Sequence, residues 1–234
     1  MDRSLSPLQS YYAARAGEYD AIYRKPERQS DLREIEQWLP AALHGRRILE
    51  IACGTGYWTG FLAPVASSIV AIDSAEETLR IARARVPPAN ASFAIGDAYV
   101  PGRARGGPFD AAFAGFWFSH VPRERQVEFL AALDAALEPG AKVVFLDNLF
   151  VEGSSSPISE EDAHGNTYQS RRLGDGSTHR VLKNFPSEAE LRALVARGGG
   201  HSPRYTCWTY YWAFEYRTAL LAGPYEHRRP RDFA

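Results

Sequence analysis

Four places in this chain combine residue types and spacing suited to holding a polar organic ligand. The first is Ile48-Leu49-Glu50-Ile51-Ala52-Cys53-Gly54-Thr55-Gly56, an apolar run with an acidic residue and then a Gly-x-Gly turn. Glycine tolerates positive φ and has no Cβ, so a ligand can lie directly against the amides of such a turn. The second is Asp73, closing Ile69-Val70-Ala71-Ile72, where a carboxylate can accept both hydroxyls of a ribose. The third is Asp97 in Phe93-Ala94-Ile95-Gly96-Asp97-Ala98, placed to accept the amino group of an adenine. The fourth is Phe109–Phe116, which runs into Ser119-His120-Val121-Pro122. A neutral imidazole at His120 can take a proton from an attacking hydroxyl or amine near neutral pH, which makes it the catalytic candidate. Cys53 is expected to serve by its small size rather than as a nucleophile.

These groups need a scaffold that brings strand ends together, and the chain has the rhythm of one. Ser30 is positioned to cap a helix whose apolar face is Leu32, Ile35, Leu39 and Ala42–Leu43. Strands are then expected at Arg47–Ile51, Ser68–Ile72, 91–95, 109–114 and Ala141–Leu146. Helices are expected from Tyr57 to before Pro64, from Ala75 to Val86, and through Val127, Leu130, Leu133 and Leu137 up to Pro139-Gly140. Such alternation implies right-handed crossovers and a parallel sheet covered by helices, an α/β sandwich. Ligands bind at the carboxyl ends of the strands in such folds, where all four features fall.

After Asp147 the pattern changes. Residues 148–166 read as loop, and Thr167–Leu173 and Thr178–Phe185 are spaced to pair as a hairpin across Gly174–Ser177. Ser187 and Glu190 form a capping box for a further helix, and Tyr205–Tyr216 suits two last strands or one long one. The expected organisation is one domain over 1–234, with a helical cap in 1–45 and an inserted segment, 148–186, over the site or at a dimer interface.

Global composition narrows the partners. A formal net charge of −1 gives no general attraction to nucleic acid or to an anionic membrane. The start MDRSLSPLQS has no apolar core of a signal peptide, and no run reaches membrane-spanning length. Two cysteines make no disulfide framework, and no cluster has zinc spacing. A cytoplasmic protein, monomer or homodimer, without metal and acting on a small molecule is the expectation.

In the wording Glu-x-x-Cys-Gly-Thr-Gly and the ordered strand-end acids, residues 10–147 resemble the class I S-adenosylmethionine-dependent methyltransferases, particularly those acting on small molecules. The resemblance implies a three-layer Rossmann-like sandwich with a seven-stranded, mostly parallel sheet, order 3-2-1-4-5-7-6, its last strand antiparallel. It implies S-adenosylmethionine as cofactor, with Glu50, Ala52, Gly54 and Gly56 beside the methionine part. Asp73 would hold the ribose, Gly96 and Asp97 the adenine N6 edge, and Ser74 and Ala98 would flank the ring. Gly115 would offer its carbonyl to the methionine ammonium. The Tyr-Tyr-x-x-Arg-Ala-x-x-Tyr-Asp pattern looks like the family's mobile cap, with Tyr19 closing on the cofactor. Tyr11, Tyr12, Trp117, Tyr168 and Arg171 are the substrate candidates. Arg171 and Arg172 are adjacent, so on a strand only one of them faces a substrate carboxylate.

The expected reaction is in-line transfer of methyl to an oxygen or nitrogen of a small, aromatic or carboxylate-bearing metabolite. Alignment and exclusion of water supply most of the acceleration, roughly 7–11 kcal/mol from effective molarity. One alternative is a non-catalytic protein that binds the same cofactor. Another, a nicotinamide-dependent oxidoreductase, wants a third glycine where Thr59 stands.

Overall fold

The computed structural model describes residues 16–87 and 89–220, with side chains from Asp20 onward. Seven strands form the main sheet: β1 (Arg47–Ile51), β2 (Ser68–Asp73), β3 (Ala91–Ile95), β4 (Phe109–Gly115), β5 (Leu137–Asn148), β9 (His201–Cys207) and β10 (Tyr211–Arg217). Their order is β3-β2-β1-β4-β5-β10-β9. β1–β5 run parallel, and β10 is antiparallel to both neighbours. Three further strands, β6 (Glu160–Glu161), β7 (Thr167–Arg172) and β8 (Thr178–Leu182), form a separate antiparallel sheet. The last two strands of the chain therefore take the places expected of a seventh and a sixth.

Both faces of the central strands are dry, as a parallel sheet between helices requires. Successive residues point to opposite sides. Ile48, Ala111, Val144 and Ala213 pack into one core with Leu32, Ile35, Leu39 and Trp58. Their neighbours Leu49, Ala112, Val143 and Trp212 pack into the other with Phe129, Leu133, Leu191 and Val195. The first layer holds helices α1 (Gln29–Ala42) and α2 (Tyr57–Leu62); the second holds α4 (Gln126–Asp134) and α5 (Glu188–Arg197). Helix α3 (Glu76–Arg85) joins β2 to β3.

Several local expectations need correction. Helix α1 begins at Gln29 with Arg28 at the cap position, so Ser30 lies inside it. Val127 faces solvent, because α4 buries Gln126, Phe129, Leu130 and Leu133 instead. Pro139-Gly140 does not precede β5 but lies within it, at an irregular register against β4, with Gly140 at φ +74°. A bulge absorbs the proline that a continuous ladder would reject. The hairpin pairs Thr167–Arg172 with Thr178–Leu182, and the Ser187–Glu190 capping box is formed in full.

Candidate active site

The turn after β1 is held in left-handed backbone: Ala52 has φ +51°, Gly54 +55° and Gly56 +73°. At Gly56 a Cβ would also lie 2.9 Å from that of Ala82 in α3, so only glycine permits both the turn and the close helix. Asp73 fastens this turn to the next strand. Its carboxylate accepts from the Gly54 amide at 2.9 Å, the Ala75 amide at 3.0 Å and the Thr78 hydroxyl at 3.1 Å. The residue expected at a ribose thus also organises the glycine turn and the start of α3. Gly96, bonded through its amide to the Asp73 carbonyl, brings the end of β3 alongside. Asp97 is exposed there and caps the Tyr99 amide, Ala98 is buried, and Ser74 is half-buried.

Glu50 is 2% exposed and accepts one hydrogen bond, from Thr59 at 2.8 Å. Burial raises its pKa to about 8, with the nearby Asp73 charge acting in the same direction. Burial likewise drives the Cys53 thiol well above its ordinary range, which suits a packing residue and not a nucleophile. At the end of β4, a Cβ on Gly115 would sit 2.9 Å from the Trp58 ring. The next residue, Phe116, is held at φ +58°, strained for a non-glycine residue and located at the site mouth. Trp58 Nε1 and Trp117 Nε1 are buried donors without a partner among the described residues.

A cavity of about 350 Å³ opens beside Phe116 and Asn148, at the carboxyl ends of β4 and β5. Ala21, Ile22, Lys25 and Arg28 close it from the N-terminal side, and Gln169–Leu173, Lys183 and Phe185 from the second sheet. Arg28 is 5% exposed; it donates to Asn148 Oδ1 at 2.9 Å and Ser154 Oγ at 3.0 Å and lies over the rings of Tyr210 and Tyr211. Lys25 donates to the Ser154 carbonyl. Arg171 is half-buried and bonds Gln169 Oε1 at 2.7 Å, whereas Arg172 is exposed, the split that strand alternation requires.

Behind the cavity a buried polar network ties the second sheet to the first. Lys183 Nζ donates to Asp147 Oδ1 at 2.7 Å and Ser119 Oγ at 2.6 Å. Asp147 also accepts the amides of Ser119 and Asn148. Nδ1 of His120 lies 2.6 Å from the Leu182 carbonyl. A carbonyl only accepts, so Nδ1 carries the hydrogen and Nε2 the lone pair of the neutral ring. Burial, and then the charges of Lys183 and Arg171, keep His120 well below its usual pKa, hence neutral at pH 7.

The structure gathers His120, Arg171 and Tyr211 at the cavity. Trp117 instead faces Tyr99, and Tyr168 bonds Asp162 beneath Arg180, away from the lining. Tyr11 and Tyr12 lie outside the described residues; for Tyr19 only backbone is described, in the 3-10 segment Ala16–Arg24. Lys25, Arg28 and Lys183 were not anticipated. Lys183 left a trace in the sequence: a lone cation between Leu182 and Phe185, answering an acid, Asp147, at yet another strand end.

A parallel sheet with a left-handed turn after β1, acids at β1 and β2, and a strand order that reverses between β1 and β4 has the layout of a nucleotide-cofactor-binding α/β protein. Residues 48–140 match the family described as "Methyltransferase domain". The structure is similar to that of DhpI with SAH, at 29% identity and TM-score 0.74, covering 91% of this chain and 96% of that one. A DhpI–SAM–HEP complex is similar at TM-score 0.72, covering 91% of this chain and 99% of the other. A ubiquinone biosynthesis O-methyltransferase of Xanthomonas axonopodis pv. citri is 27% identical over 157 residues, 66% of this chain and 62% of that protein. The match spans about three fifths of that curated relative's length. Residues 48–140 are a methyltransferase domain by the family match, and the likeness to structures holding SAH or SAM supports S-adenosylmethionine as the cofactor.

The residues present fit that cation. Glu50 is a buried acid with no cation bonded to it among the described residues, which suits the cofactor's positive charge; Trp58 Nε1 is a donor with no partner among them at the β4 end, which suits its carboxylate, and Gly115 clears space beside it.

Proposed function

We propose that the protein transfers the methyl group of S-adenosylmethionine to an oxygen of a small organic acid bound in the cavity beside Phe116. The lining of that cavity carries the proposal. Lys25, Arg28, Arg171, Arg172 and Lys183 contribute to it, and no Asp or Glu among the described residues does. An acid held by guanidinium groups is both fixed and oriented, because the planar fork matches oxyanion geometry. Glu50, the turn at Ala52–Gly56, Asp73, Ser74, Gly96–Ala98 and Gly115 would hold the cofactor, which supplies an already activated methyl carbon.

The chemistry asks little else of the chain. It must align an oxygen lone pair with the carbon–sulfur bond and keep water away. Phe116, Tyr211, Phe185 and Ile22 provide apolar cover. An ionised oxygen has no proton to remove, so this reading asks no base of His120, whose Nδ1 hydrogen holds the Leu182 carbonyl. The cationic lining favours this reading over a neutral aromatic acceptor, and the intact cofactor turn favours it over a non-catalytic binder.

Incubation with methyl-labelled cofactor and a panel of small acids, their amides and neutral phenols tests it. Label is expected in the esters of acids. Transfer to phenols or amides alone would refute it. Binding of S-adenosylhomocysteine without transfer to any acceptor would favour the non-catalytic alternative.

A further inference from the structure

Cations line the cavity from two sides: Lys25 and Arg28 on the N-terminal segment, and Arg171, Arg172 and Lys183 on the second sheet and just past it. The acidic end of an acceptor has its place among them, but that end alone does not fill the space. The cavity measures about 350 Å³, within the range of about 300–1,000 Å³ of sites that enclose a whole small molecule. Its aromatic walls lie apart. Phe116 stands at the end of β4, beside the proposed cofactor site, whereas Phe185 lies past the end of β8. Phe185 is half-buried and meets the ring of Phe150 edge-on, with centroids 5.3 Å apart and planes at 73°. Phe150 is 43% exposed. Six large apolar side chains are exposed among the described residues. Two of them, Phe150 and Ile158, bracket in sequence the segment whose Ser154, Ser155 and Ser156 line the cavity. The cavity thus opens at Phe185 onto the exposed ring of Phe150, and apolar surface continuous with a binding site is surface a ligand can cover.

Building on the oxygen-acid reading, we infer that the acceptor is an amphiphilic acid whose apolar substituent lies along Phe185 toward Phe150, and that this pair of rings sets which acids are methylated. An oxygen presented to the methyl carbon lies toward Phe116 and the β4 end. The substituent then points away from β4, and the second sheet with Phe185 is what it meets. Each methylene laid against that ring leaves water. A hydroxylated or charged chain would give up its hydration there for no hydrogen bond. An aromatic substituent adds the same edge-to-face contact that Phe150 makes with Phe185. Phe150 and Phe185 touch no reacting atom in this arrangement. They are positioning residues that act on the choice of acceptor, so their effect belongs in KM.

Acetate, butyrate, hexanoate, hydrocinnamate and the terminally hydroxylated acid of hexanoate's length separate the possibilities. With the S-adenosylhomocysteine complex, titration calorimetry is expected to show hexanoate binding about tenfold tighter than butyrate, since two buried methylenes contribute roughly threefold to fourfold each. The hydroxylated acid should lose most of that gain, and hydrocinnamate should bind at least as tightly as hexanoate. With labelled cofactor the same order is expected in kcat/KM, carried by KM. Phe150→Ser changes an exposed position, and Phe185→Leu keeps an apolar side chain. Each, checked for unchanged melting, should reduce the preference for hydrocinnamate over acetate by about threefold or more.

Equal binding of acetate, butyrate and hexanoate, or equal turnover of hexanoate and its hydroxylated counterpart, would overturn the inference while leaving the oxygen-acid reading standing. Variants that keep the wild-type preference would do the same. If Phe150→Ser keeps that preference and changes the sedimentation coefficient, the exposed ring belongs to a contact between copies of this chain, which also overturns the inference. An apolar preference in binding without transfer to any acid would overturn the oxygen-acid reading and leave Phe185 and Phe150 as a binding wall.

Discussion

Glu50 illustrates how a single buried group joins stability to cofactor binding. Its pKa stands near 8 in the folded chain against an ordinary 4.5. Between those values the unfolded chain releases this proton and the folded chain keeps it, so rising pH favours unfolding across that interval. The penalty approaches a few kcal/mol above pH 8, given about 1.4 kcal/mol per unit. Glu50→Gln is therefore expected to raise the melting temperature of the cofactor-free protein at pH 8.5 and to change it little at pH 4.5. A cationic cofactor nearby reverses the preference and draws the carboxyl into its ionised form. Binding of S-adenosylmethionine is expected to tighten between pH 6.5 and 8.5 and to release a proton, and the Gln variant to lose both effects by calorimetry in buffers of different ionisation enthalpy. His120 makes the complementary case. A general base is worth about 10²–10⁴ in rate. His120→Asn, which keeps a donor for the Leu182 carbonyl, is expected to lower kcat by less than about tenfold; a drop of a thousandfold would return His120 to the role of base.

At the scale of elements, the site is a meeting of three segments distant in sequence. The N-terminal segment reaches it through Arg28, which bonds Asn148 and Ser154, and is latched to the cofactor turn by Asp20, which bonds Thr55 and Arg85. The second sheet reaches it through Lys183, and the main sheet supplies Asp147. Asp147→Asn would strand Lys183 in a buried position and is expected to cost about 3–5 kcal/mol in a denaturant titration. Asp20→Ala should leave the melting temperature nearly unchanged and weaken S-adenosylhomocysteine severalfold, since the latch lies at the surface of the cap.

This geography explains what the sequence alone made legible. Strand-end acids and the glycine turn follow the chain's own order, because each β–α unit repeats one local grammar; the places of Glu50, Gly54, Asp73 and Asp97 in or just after strands were readable for that reason. Arg171 was readable from strand alternation. Arg28 and Lys183 were not, since a cation in Lys25-Pro26-Glu27-Arg28 looks like any solvated charge until Asn148 and Tyr211 close over it. Val127 misled because helical spacing alone does not say which of two neighbouring stripes meets the sheet.

For the whole molecule, an overall charge of −1 coexists with a cavity whose described lining is cationic, so a near-neutral total conceals a local field. The order β3-β2-β1-β4-β5 reverses between β1 and β4, where crossovers leave to opposite sides and where the proposed cofactor site would lie. Phe116, at the end of β4, lines the cavity proposed for the acceptor. No helix among the described residues is long and apolar enough to cross a membrane. The proposed donor and acceptor sites are thus neighbours by topology, one built by strand ends and the other by the N-terminal segment and the second sheet.

The most direct measurement is a crystal structure of the protein with S-adenosylhomocysteine and a small organic acid that it methylates bound together. The acid's oxygens are expected within hydrogen-bond distance of Arg28 and Arg171, with one oxygen in line with the sulfur at the spacing a transferred methyl requires. An acid bound elsewhere, or seated among those arginines with every oxygen turned away from the sulfur, would contradict the assignment of this cavity as the acceptor site.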